Sequence, residues 1–137
     1  MGETTGIVFV TGGTKFLRTN FITVLLSKLT QESKVFVLTP ESAVFEDTRV
    51  IDLKGTIEHT DVYSEQLKMA EYVYVLGEDE LMKYAGRVDT HKKFSELLAD
   101  NKVLKNCIVV NEQGRLKEFL GKAGIPITVF KVGEIYG

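Results

Sequence analysis

The residues best placed to do chemistry lie in one stretch, Thr11-Gly12-Gly13-Thr14-Lys15-Phe16-Leu17-Arg18, directly after the apolar run Ile7-Val8-Phe9-Val10. A β-branched and aromatic run, a glycine pair and then apolar residues at helical spacing read as strand, tight turn and helix. That is the opening of a dinucleotide-binding βαβ unit. Backbone N–H groups and the positive end of a helix meet in such a turn, where they favour a phosphate. A working fingerprint needs one glycine for the turn, one for close approach to the pyrophosphate and one for helix–strand packing. Gly12 fills the first place, and Lys15 and Arg18 stand in the other two. These cations admit two readings. They could grip a phosphate from the side, as in a mononucleotide or the 2′-phosphate of NADP, or they fill a cradle that has lost its use. The candidate cofactor-binding residues are therefore Gly12, Gly13, Thr14, Lys15, Phe16, Leu17 and Arg18. Thr39 joins them, at the end of the second strand, where dinucleotide-binding domains commonly place a ribose-binding acid.

The remaining chemistry-bearing residues are scattered. Glu41 comes two positions after Thr39, behind Pro40, and reads as a solvated loop acid. His59 and His91 have no companions at metal-ligand spacing, so no metal site is expected. Glu78-Asp79-Glu80 could hold a cation but reads more simply as complementing a helix dipole. Cys107 is the single cysteine and sits in the apolar run Cys107-Ile108-Val109-Val110, the setting of a buried structural thiol. No residue stands out as a general acid, and none is assigned a catalytic role.

Elements that would position the cradle follow in order. Leu17, Phe21, Val24 and Leu25 predict the apolar face of the first helix. Lys34 to Leu38, Val50 to Leu53, Glu71 to Gly77, Cys107 to Val110 and Ile127 to Val132 predict further strands. Between them lie predicted helices over Asp61 to Met69 (capped by Thr60 or Asp61), from Glu78, over Asp89 to Ala99 and over Arg115 to Ala123, the last closed by Gly124. Six strands alternating with helices imply parallel crossovers and a doubly wound α/β sandwich of three layers.

Composition narrows the partners. The chain has 137 residues, so a single domain over 1–137 is expected, and 44% hydrophobic residues suffice for a core. The net charge is −2 with Lys and Arg dispersed, which argues against nucleic acid or an anionic membrane as the main partner. Met1 to Thr5 has no secretion signal, and no apolar run is long enough to span a bilayer. One cysteine allows no intrachain disulfide, which suits a cytoplasmic location. Leu81, Tyr84, Phe94 and Leu97 form a candidate dimer patch, with burial of Phe94 and Leu97 on the chain's own sheet as the alternative.

In its order of motifs the chain resembles the nucleotide-binding half of the short-chain dehydrogenase/reductase superfamily, especially the NAD-dependent epimerase/dehydratase and NmrA-like branches. Thr11-Gly12-Gly13-Thr14 with Phe16-Leu17 matches the opening motif. Ala70 to Gly77 resembles the fourth-strand segment, Val109-Val110-Asn111 the end of the fifth strand, and Lys131 to Gly137 the Tyr-Gly ending of the sixth. The resemblance implies a Rossmann-like fold, NAD or NADP as the cofactor to test, and a catalytic Tyr–Lys pair spaced by four residues after the fifth strand. That pair would fall near Val110 and Gly114, and none of Tyr63, Tyr72, Tyr74, Tyr84 and Tyr136 has a lysine four positions later. Thr56 stands where the family has an acid near the adenine, and the resemblance leads to the expectation that the substrate-binding region following the sixth strand in the family is absent here. The expected function is a non-catalytic relative serving as a binding, regulatory or scaffolding module with at most weak nucleotide binding, alone, as a homodimer or with a protein partner. The alternatives are an NAD(P)-binding sensor, or a nucleotide-sugar epimerase/dehydratase completed by another subunit.

Overall fold

Val8, Phe9 and Val10 are buried on both sides of their strand, and that double burial fixes the centre of the fold. In the computed structural model, which describes residues 6–12, 15–39, 45–55, 57–76, 88–110 and 116–130, this strand is β1 (Ile7–Thr11). It is followed by α1 (Lys15–Leu26), β2 (Lys34–Thr39), β3 (Val50–Lys54), α2 (Thr60–Met69) and β4 (Tyr72–Val75). Then come α3 (Val88–Ala99), β5 (Asn106–Val110), α4 (Leu116–Lys122) and β6 (Ile127–Phe130). The sheet order is β3-β2-β1-β4-β5-β6, and every pairing is parallel. The chain steps outward from β1 to β3, then returns across β1 to β4. That reversal places the topological switch point between the carboxyl ends of β1 and β4, where open α/β sheets bind ligands.

The two faces of the sheet are covered differently. On one, Val8, Val10, Val35 and Val37 pack against Ile22 and Leu29 from α1 and the turn after it. On the other, Phe9, Phe36, Leu38, Val73, Val75, Cys107 and Val109 meet Tyr63 and Leu67 of α2, Phe94 and Leu98 of α3, and Leu120 of α4. The strands record this asymmetry. β1 and β2 are buried almost without interruption, whereas in β4 and β5 every second residue is only half-buried. The half-buried set, Tyr72, Tyr74, Asn106, Ile108 and Val110, points to the face that α1 occupies.

α1 is rotated from the face its sequence predicts. Leu17, Phe21 and Leu25 are half-buried as expected, but Val24 is 57% exposed, and Arg18 and Ile22 are the buried residues. Positions 18, 22, 25 and 29 form the stripe laid on the sheet, so a charged residue occupies the core side of the first turn. Phe21 remains at the flank, its ring 4.7 Å from that of Tyr74.

The far end of α1 is held from outside the helix. Arg49 donates through Nη1 to the carbonyls of Leu26 (3.0 Å), Leu29 (2.7 Å) and Thr30 (3.4 Å). Leu26 ends α1 and Leu29 and Thr30 lie in the turn after it, so the guanidinium gathers carbonyls at the negative end of the helix, where a cation suits the dipole. Asp47 fixes the other edge of the guanidinium, accepting from Nε at 2.9 Å and from Nη2 at 2.6 Å. These side-chain bonds, helped by the Arg49 backbone N–H, lower the Asp47 pKa from 3.8 to about 2. A carboxyl depressed in the folded state stabilises fully above its unfolded pKa, and that contribution is lost as pH falls through the folded one. The stability advantage of the natural chain over Asp47→Asn, read from urea midpoints, is therefore expected to be constant from pH 7 to 5 and to shrink toward pH 2. An advantage that holds at pH 2 removes the linkage.

Other local expectations are corrected. The N-cap of α2 is His59, with no side-chain cap bond, while Thr60 and Asp61 begin the helix proper. Gly124, by contrast, closes α4 as its sequence predicts, with φ +76°, a conformation side-chain-bearing residues resist. Phe94 is fully buried and Leu97 half-buried against the same core, which is the alternative the sequence offered to a dimer patch. Gly13, Thr14, Pro40, Glu41, Thr56, Glu78 to Tyr84, Asn111 to Gly114 and Lys131 to Gly137 lie outside the described residues. So do Met1 to Thr5 and the His91 side chain.

Candidate dinucleotide cradle

β1 ends at Thr11, which pairs with Leu38 of β2 on one side and Val75 of β4 on the other. The carbonyl of Thr11 also accepts the N–H of Leu76 at 2.8 Å, continuing the ladder one step past β4. Gly12 then turns with φ +82°, the left-handed conformation that requires glycine here. β1, a left-handed Gly12 at the switch point and α1 from Lys15 thus follow one another in the order the sequence predicts.

The two cations in the glycine places behave differently. Lys15 is exposed at the first position of α1, and Phe16 beside it is 79% exposed. Arg18 is 4% exposed, and its Nη1 donates to the carbonyl of Gly12 at 3.2 Å. Arginine keeps its charge in proteins, so a permanent cation lies in the seam between the turn and the helix. It stands at the positive end of α1, where a cation is disfavoured, and the carbonyl of Gly12 partly offsets that. Leu17 turns into the core on the α1 side. Thr39 is buried, and its carbonyl accepts the N–H of Gly55 at 2.9 Å. It leaves the sheet beside Gly12, as its sequence position predicts, but with its side chain enclosed.

No described tyrosine is set up for proton transfer. Tyr63 is fully buried, donates its hydroxyl to the carbonyl of Ile57 at 2.6 Å, and has its pKa pushed up by burial. Tyr74 is half-buried under α1, with its pKa raised by burial and further by Tyr72. Lys105 stands over the ring of Tyr72, its Nζ 5.9 Å from the centroid. Burial raises the Cys107 thiol to about 12, which keeps it protonated and unreactive, in line with the buried thiol its sequence predicts. Among the described residues no group of three or more His, Cys, Asp or Glu could hold a metal ion. Nor is any described helix long and apolar enough to cross a membrane.

Among the described residues two hollows lie away from the cradle, and sequence reasoning found neither. One of about 620 Å³ opens at the amino end of the strands, between Ile7, Glu32, Lys68, Glu71 and Asp100. There Glu71 accepts the N–H of Ile7 at 3.2 Å. A smaller one of about 200 Å³ lies beneath α1, between Val8, Leu25, Leu29, Tyr72 and Tyr74. Their residues are dispersed in the chain and carry no motif, so only the topology brings them together.

Comparison with known proteins places the architecture. No protein-family model matches the sequence, and no curated protein is significantly similar to it. The fold itself has many counterparts. AtPrR2 in its apo form superposes with a TM-score of 0.62 at 17% identity, over 90% of this chain and 47% of that one. Pen from Bacillus thuringiensis gives 0.61 at 15% identity, over 96% and 52%. AtPrR2 with NADP+ and (+)pinoresinol gives 0.61 at 14%, over 93% and 50%. The chain spans about half the length of these structures. The fold is a Rossmann-like α/β sheet of six parallel strands, which these structures share.

Proposed function

We propose that the chain is a non-catalytic relative of the NAD-dependent epimerases and dehydratases, with residues 1–137 forming one Rossmann-type domain. It acts as a binding, regulatory or scaffolding module in the cytoplasm, alone, as a homodimer or with a protein partner, and holds a nucleotide weakly at most. One observation carries this reading: a buried guanidinium is bonded to the turn carbonyl where the fingerprint has its packing glycine. The described tyrosines support it, because Tyr63 is enclosed in the core and Tyr72 and Tyr74 lie on the α1 side of the sheet. Titration with NAD+ and NADP+ tests it. A ligand present at a hundred times its Kd stabilises a fold by about 2.7 kcal/mol. A dinucleotide at millimolar concentration is expected to give neither heat nor a shift in thermal midpoint. A clear stabilisation by either cofactor ends the proposal.

The alternative is an NAD(P)-binding sensor, or an enzyme completed by another subunit. The retained left-handed Gly12 favours it, as does the likeness in fold to AtPrR2, whose structure with NADP+ is known. On that reading Gly12, Gly13, Thr14, Lys15, Phe16, Leu17, Arg18 and Thr39 would line the cofactor site.

A further inference from the structure

We propose that the hollow beneath α1 is a binding site for a small aromatic carboxylate, an anion of the size of benzoate. The site lies toward the amino ends of the strands, away from the switch point at their carboxyl ends. It therefore stands whether or not the cradle takes a nucleotide.

The hollow measures about 200 Å³. Val8 of β1 forms its floor beside Tyr72 and Tyr74 of β4, and Leu25 and Leu29 roof it from α1 and the turn after it. Water gains little in a space lined this way, because it needs two or more polar partners. An apolar cavity of roughly 150 Å³ is enough for benzene, so this one suits a single substituted ring and is too small for a nucleotide.

The walls are held from behind. The Leu29 carbonyl accepts from Arg49 Nη1 at 2.7 Å, which fixes the roof. The N–H of Gly6, at the amino end of the floor, donates to Ser33 Oγ at 3.1 Å. The Tyr74 ring leans on that of Phe21, with 4.7 Å between centroids. Arg49, Ser33 and Phe21 do not themselves line the hollow, so a ring can enter with these contacts intact. A site formed in advance loses less free energy when it binds.

Charge decides the class of ligand. Lys28 lines the hollow and is exposed, so it marks the side open to solvent. Lys105 is exposed too, with its Nζ 5.9 Å from the centre of the Tyr72 ring. No carboxylate is among the lining residues, and Glu32 and Glu71 line the other hollow instead. Two cations beside an apolar slot favour a ring with its negative charge at the rim, where a carboxylate keeps part of its water.

Sodium benzoate titrated into the natural chain, with backbone amide signals followed by NMR and benzyl alcohol as the neutral comparison, tests the site. Benzoate is expected to move the amides of Val8, Leu29 and Tyr72 and to leave those of Gly12 and Thr39 in place. Lys28→Gln should weaken benzoate roughly two- to fivefold, the range of an exposed ion pair, and leave benzyl alcohol unchanged. Leu25→Phe fills the slot and should abolish binding of both. Should that variant fail to fold, Lys28→Gln, a surface change, carries the test. An absence of shifts at millimolar benzoate overturns the site. Equal affinity for benzoate and benzyl alcohol in the natural chain overturns the choice of an anion. Shifts centred on Gly12 put the anion at the start of α1 and overturn the proposal as well.

Discussion

Replacing Tyr63 with alanine is expected to lower the free energy of unfolding by about 4 kcal/mol, within the range for deleting a buried aromatic ring. Tyr63 is fully buried, with its ring centroid 5.7 Å from that of Phe9 and 6.2 Å from that of Phe94. It thereby joins α2 to the central strand and to α3. Its hydroxyl closes on the buried Ile57 at 2.6 Å. Tyr63→Phe keeps the rings together and strands that carbonyl, for a smaller loss of about 1–2 kcal/mol. Because small domains are stable by only about 5–15 kcal/mol, the alanine variant should be partly unfolded under mild denaturant. Urea unfolding of the three proteins reads this directly. A loss below about 1 kcal/mol for alanine would mean that Tyr63 is not a keystone of this core.

The second large effect is expected at Arg49. Arg49→Met keeps most of the apolar stem but removes the donors that serve Leu26, Leu29 and Thr30, and leaves Asp47 without its cation. Losing these charged hydrogen bonds at a partly exposed pair, where Arg49 is buried and Asp47 is not, costs about 2 kcal/mol. Arg49→Lys should recover only part of this, since an ammonium cannot face a carboxylate with two parallel bonds and reach the carbonyls as well. Hydrogen exchange offers the sharper readout. Amides in the last turn of α1 should lose protection in the methionine variant before those of β1 do. If the two segments loosen together, Arg49 is not acting as a local clasp.

Much of the architecture was legible because strand and helix periods are local properties. The runs Ile7 to Val10, Lys34 to Leu38 and Cys107 to Val110 each carry enough β-branched residues to declare themselves, and the structure extends them by at most a residue or two. What escaped was settled by contacts distant in the chain or against type. Arg49 and the end of α1 meet across about twenty residues with no shared motif. From the sequence Arg18 reads as a phosphate grip or as filling of a disused cradle, because charged side chains on a helix usually face water. The turn carbonyl and the rotation of α1 decide otherwise, and the same rotation sends Val24 outward in place of Ile22. The glycine places in the cradle were visible from spacing alone. Which of their two cations turns inward was not, since lysine and arginine carry the same charge in a one-dimensional reading.

The unequal dressing of the sheet also bears on how this chain can drift. In β1 and β2 neighbouring side chains are locked in, so almost any exchange meets resistance. In β4 and β5 constraint falls on alternate positions: Val73, Val75, Cys107 and Val109 are held, while Tyr72, Ile108 and Val110 have latitude. Over generations the first pair of strands should keep an unbroken apolar spelling. The second pair should vary with a beat of two, even though all four lie inside one parallel sheet.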